Sequence, residues 1–148
     1  MAIHYFAEEV VKPGLKYRLI SKWLKLIIEQ HSKRLGNISY IFCDDNYLLE
    51  VNSKYLRHTY YTDIITFDYV EGNTISGDIY ISIERVADNS VKFGVNLEDE
   101  FLRVISHGVL HVLKYDDLGE KEREFMRKME SDCISRYKIL KNDGSFQV

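Results

Sequence analysis

The sequence predicts an α+β domain: a small mixed β-sheet of about four strands packed by about five helices. Apolar residues recur at helical spacing in several long stretches, and β-branched and aromatic runs stand between them. The two kinds of element mix without strict alternation, which sets the class as α+β. A length of 148 residues without a repeat, a low-complexity tract or a Gly/Ser linker fits one domain over 1–148.

Residues 2 to 8 read as a first strand. After the turn-like KPG around Pro13, Leu19, Ile20, Trp23, Leu24, Ile27 and Ile28 follow helical spacing from Leu15 onward, an amphipathic helix of about five turns that Gly36 is expected to stop. ISYIFC (38–43) is a strand, and Asp44 or Asp45 can cap a helix through NYLLEVNSKYL. IITFDYV (64–70) and DIYISI (78–83) form a hairpin around EGNTISG, where Gly72, Asn73 and Gly77 suit a turn. A short helix follows from Glu84 to about Phe93. Asn96 then precedes LEDEFLRVISHGVLHVL, whose acidic first turn faces the positive end of the helix dipole. A last helix from about Glu120 to Leu140 places Phe125, Met129, Cys133 and Ile134 along one stripe.

Composition narrows the function. With 45% apolar and 29% charged residues the chain has the balance of a globular protein, and 13% aromatic content excludes a disordered one. Cys43 and Cys133 lack a CxxC partner, so both read as buried apolar side chains in a reducing compartment rather than as disulfide or thiolate ligands. The opening MAIHYFAEEV has no basic start followed by an apolar run, and no segment reaches membrane-spanning length, so a cytoplasmic location is expected. A net charge of −3 argues against a general nucleic-acid binder and requires any polyanion to meet a local basic surface.

The stretch HGVLHVLKYDD (107–117) carries the chemistry. On a helix His107 and His111 share a face with Cβ atoms about 5–6 Å apart, so both imidazoles can address one ion. A straight continuation would put Asp117 about 15 Å further along the axis, out of reach. The chain must therefore reverse after Leu113, and KYDD before Leu118 and Gly119 suits a reversal. Two histidines and one carboxylate with open positions form a catalytic zinc arrangement, since a closed structural site takes four protein ligands. The same set matches non-haem iron sites, so ligand type alone does not fix the metal.

This stretch resembles the signature of the YbeY family of endoribonucleases, HGxLHxxGYDH, in which three histidines hold zinc. HGVLH matches without a break. NSKYLRHTYYTDIITFDY (52–69) is similar to the family's asparagine-led segment, and SGDIYIS (76–82) to its Gly-Asp-Ile strand, so the resemblance covers about residues 52 to 117. Three departures stand out. Asp117 takes the place of the third histidine, with Asp116 as an alternative one residue away; Lys114 stands where the family has its turn glycine; and the family's arginine aligns with Leu56, beside Arg57.

The resemblance implies a metal-dependent, single-strand-specific endoribonuclease acting in rRNA processing and ribosome maturation. Zn2+ would be held by His107, His111 and Asp117, with RNA and the ribosome or its small subunit as partners and no membrane. Arg57, His58 and Lys114 are candidates to hold the phosphate or protonate the leaving oxygen, while Thr62 and Asp63 frame the site. Lys16, Arg18, Lys22, Lys25, Lys33 and Arg34 are expected to give the first helix a basic side, and Tyr60 and Tyr61 could stack on bases. The rival readings are a ribosome-assembly binding factor with a structural metal and a generic metallohydrolase. A peptidase is disfavoured because Gly108 occupies the position of the glutamate base in the related helix motif; that glycine either leaves space over the metal or serves helix packing.

Overall fold

The computed structural model describes residues 1–55 and 62–143. Strand β1 (Ala2–Ala7) leads to helix α1 (Tyr17–Gln30), β2 (Arg34–Cys43) and α2 (Asp45–Tyr55). Strands β3 (Ile64–Asp68) and β4 (Thr74–Ser82) precede α3 (Ile83–Phe93), α4 (Leu97–Val112) and α5 (Glu120–Asn142). The strands form one sheet in the order β1-β2-β4-β3, with β1, β2 and β4 parallel and β3 antiparallel to β4. This is the expected α+β fold with its mixed four-stranded sheet.

The central strands are covered on both faces. Ile38, Tyr40 and Phe42 of β2, with Ile75, Ile79 and Ile81 of β4, bury one face against α1, α4 and α5. Cys43 and Ile65, with the half-buried Tyr80, meet Leu48 and Val51 of α2 on the other. Two hydrogen bonds tie the main layer together: Tyr40 Oη donates to the Ile105 carbonyl at 2.8 Å, and Trp23 Nε1 to the Cys133 carbonyl at 2.7 Å. Both cysteines are buried and free. No described helix is long and apolar enough to cross a membrane.

Helix α1 buries the six apolar residues its spacing selects. It ends at Gln30, however, short of the expected stop at Gly36, which lies inside β2. There a Cβ would stand 2.8 Å from Thr74 Cγ2 and 3.0 Å from the Ile75 carbonyl oxygen, so the glycine serves close strand approach. Lys33 and Arg34 are consequently off the helix, and its basic side comes from Lys16, Arg18, Lys22 and Lys25. Gly77 likewise belongs to β4, where a Cβ would meet the Phe67 carbonyl at 2.6 Å; the hairpin turn is only Glu71–Thr74, with Gly72 at φ +58°.

The caps agree with the sequence. Asp44 Oδ1 accepts from Tyr47 N at 2.7 Å, and Asn96 Oδ1 accepts from Asp99 N at 2.7 Å. The buried stripe of α5 differs: it is Met126, Glu130, Cys133 and Tyr137, while Phe125 is 54% exposed. A glutamate holds an interior position on that helix, and the reason lies at the end of α4.

Candidate metal centre

Helix α4 turns its apolar side to the sheet and leaves His107 and His111 half-buried at its edge. Their rings stand 4.4 Å apart between centroids and nearly perpendicular, at 85°. Gly108 faces the sheet between them. A Cβ there would lie 2.9 Å from Ile79 Cγ2 and 3.1 Å from Ile64 Cδ1, so the glycine serves helix packing and opens no space over the histidines.

The reversal after α4 brings the carboxylate back. Tyr115 N donates to the Leu110 carbonyl at 3.0 Å and Lys114 N to the His111 carbonyl at 2.9 Å, the paired bonds of a Schellman end. That motif needs a left-handed residue, and Lys114 supplies it at φ +79°, for roughly 1–2 kcal/mol more than glycine would cost. Its ammonium lies 3.0 Å from Asp68 Oδ2. Asp117 then returns beneath both rings, with Oδ2 3.5 Å from His107 Nε2 and Oδ1 3.7 Å from His111 Nε2. Asp116 instead accepts from Leu118 N at 3.3 Å.

One ligand atom from each of His107, His111 and Asp117 lies within 4.8 Å of the others, so the three can hold a metal ion. Ligands about 2.0–2.2 Å from one tetrahedral ion stand roughly 3.4 Å apart, close to the separations across Asp117. The second ring nitrogens are already engaged. His111 Nδ1 meets the Tyr115 carbonyl at 3.0 Å, and His107 Nδ1 makes a close contact with Glu130 Oε2. Both acceptors favour the proton on Nδ1 and leave Nε2 lone pairs facing Asp117. Burial, reinforced by His107 and opposed by Asp117, lowers the His111 pKa, which keeps that ring neutral for coordination.

Glu130 was not singled out by the sequence, nor was Arg103. Glu130 is 2% exposed, on α5, and Arg103 Nη1 approaches its Oε1 at 3.4 Å. Arg103 also binds buried Glu100, with Nε 3.0 Å from Oε1, and lies 3.8 Å from Asp63 Oδ2. Burial alone would lower the Arg103 pKa, but the Glu100 hydrogen bond and the charges of Glu100, Glu130 and Asp63 outweigh it, so the guanidinium is locked cationic. A signal was present: a glutamate four residues after Met126 and three before Cys133 sits on the core-facing side of a helix, where an unpaired charge is costly.

Besides its approach to Arg103, Asp63 accepts at its carbonyl from Ser82 N at 3.0 Å, and Thr62 Oγ1 donates to the Ile64 carbonyl at 3.4 Å. Arg57, His58, Tyr60 and Tyr61 lie outside the described residues.

A family model described as Endoribonuclease YbeY matches residues 7–138. Curated relatives of that name include one from Parabacteroides distasonis, 47% identical over 91% of this chain and 95% of the relative. Another, from Bacteroides fragilis, is 47% identical over 93% of this chain and 99% of the relative. The solution structure of a protein from Thermotoga maritima superposes with a TM-score of 0.61, covering 99% of each chain at 21% identity, a likeness of fold.

Proposed function

The chain belongs to the endoribonuclease YbeY family, and from that premise we propose that it cleaves single-stranded RNA during ribosomal RNA maturation, at a centre formed by His107, His111 and Asp117. The observation that carries this assignment is the convergence of two imidazole Nε2 atoms on one carboxylate, with both Nδ1 atoms already held. We assign Zn2+ to the centre, because two histidines, one carboxylate and an open side form a catalytic zinc set. A divalent ion bound there supplies Lewis-acid stabilisation of the phosphodiester and hydroxide near neutral pH.

The chain's own residues do the rest. Glu130 and the Tyr115 carbonyl hold the two rings in the tautomer that coordinates. Arg103 pairs with both buried Glu130 and Glu100, one positive charge between two negative ones, so the carboxylate on His107 does not stand alone in the core. Arg57 and His58 are assigned to hold the substrate phosphate and protonate the leaving oxygen, roles the resemblance implies. Lys16, Arg18, Lys22 and Lys25 offer a basic face on an otherwise acidic chain. Intrinsic RNA affinity is therefore weak and salt-dependent, with the ribosome delivering the substrate in the cytoplasm.

Cleavage assays on one labelled RNA, presented unpaired or annealed to its complement, test the reading. Cutting of the unpaired form only, abolished by a chelator and restored by Zn2+, is expected; equal cutting of the duplex or indifference to the chelator would reject it.

A further inference from the structure

A second groove, of about 430 Å³, opens between α3, α4 and α5 directly beside the metal centre. It shares Asp63, Arg103, Arg127 and Glu130 with the smaller cleft of about 200 Å³ that holds His107 and Asp117, so the two run together. Its size lies within the range of small-molecule sites. Phe93 and Val95 at its outer wall are 54% and 43% exposed, so an apolar surface is open to a ligand in the groove.

Charge decides what fits there. Asp63, Glu100 and Glu130 line the groove, and Arg103 is committed to all three. Three carboxylates against the single Arg103 cation leave the floor net negative, which disfavours a phosphate there but tolerates a nucleobase, whose edge is polar and whose faces are apolar. Arg127 has no ion-pair partner among the described residues, and it stands where the groove meets the metal cleft. Asn89 lines the same wall with a carboxamide that has no hydrogen-bond partner among the described residues.

We propose that this groove seats the nucleotide next to the scissile phosphate, with its base against Phe93 and Val95, its edge read by Asn89 and its phosphate held by Arg127. The inference rests on the endoribonuclease reading and gives it a physical basis for single-strand preference. A base paired in a duplex is stacked and cannot enter.

The test uses the Zn2+-loaded full chain and short unpaired oligoribonucleotides carrying one abasic position on either side of the cleaved bond. For the wild type, an abasic site at one flanking position raises KM by about 5- to 150-fold, the loss expected for one base stack. In Phe93→Ala that penalty disappears, and Phe93→Trp restores it. Arg127→Ala raises KM and flattens the log–log salt dependence by about 0.7, one phosphate contact on a single strand. Metal content and Tm stay at wild-type values in all three. An abasic penalty that persists in Phe93→Ala, or an Arg127→Ala variant with unchanged KM and salt slope, overturns the proposal. If the wild type cleaves no RNA, the endoribonuclease reading fails first. The groove is then judged by fluorescence anisotropy of the same oligonucleotides: weakened binding in both alanine variants supports it, and unchanged binding rejects it.

Discussion

Glu130 supports the candidate metal centre through His107 Nδ1. Replacing it with Gln keeps the volume and an acceptor for His107 Nδ1 but removes the charge that Arg103 and the ring share. Loss of such a supporting group typically costs 10- to 100-fold in metal affinity. Glu130→Gln is expected near 10-fold and Glu130→Ala near 100-fold, measured by competition with a chromophoric chelator. His111 makes a prediction about pH. Burial holds its folded pKa below the unfolded value of about 6.5, so as pH falls the unfolded chain takes up the proton first. In the metal-free protein the stability associated with the neutral ring is therefore complete above that value and declines below it, until the folded pKa is passed. Thermal melts of metal-free wild type and His111→Gln should show a wild-type Tm that drops faster between pH 6.5 and lower values; parallel curves would count against it. The cluster of His107, His111 and Asp117 was legible because imidazole and carboxylate side chains at that spacing are the ones a metal would need. Glu130 and Arg103 were not singled out: the place of Glu130 on the core-facing side of its helix hints at burial, but its partners stand on another helix, where no local spacing names them.

At the level of elements, α4 is held against the sheet by the absence of a side chain. Gly108→Val would place methyl groups inside the contact with Ile79 and Ile64 and push the helix away. Overpacking of this kind costs about 1–3 kcal/mol, and the same displacement moves both histidines. A lower denaturation midpoint with weakened metal binding is expected; an unchanged midpoint would mean the helix has room to spare. Caps were the best-read features, because Asp44 and Asn96 satisfy backbone donors three residues away. Boundaries that depend on distant neighbours were read less well. Gly36 and Gly77 stand inside strands because another chain segment approaches them, which local spacing cannot reveal. The stripe of α5 shifted for a related reason: Glu130 is drawn inward by His107 and Arg103, and Phe125 is left outside against Tyr115, with 6.0 Å between ring centres.

For the whole molecule, the periodicities gave the α+β class and the number of elements, but the strand order β1-β2-β4-β3 was beyond them. Parallel pairing of β2 with β4 joins Tyr40 to Ile79 and Phe42 to Ile81, partners far apart in sequence that no hairpin turn announces. That order has a functional result. It places β4 in the middle of the sheet under α4, and α5 then returns along α4 to deliver Glu130 to His107. The central claim is that Asp117 completes the metal site and that the metal is required for cleavage. Elemental analysis of protein purified without added metal, on wild type beside Asp117→Ala, with cleavage of an unpaired oligoribonucleotide followed in the same samples, tests it most directly. About one zinc per wild-type chain is expected, and a variant that keeps its circular dichroism while losing metal and cleavage together; full cleavage by Asp117→Ala without bound metal would show that Asp117 is not required.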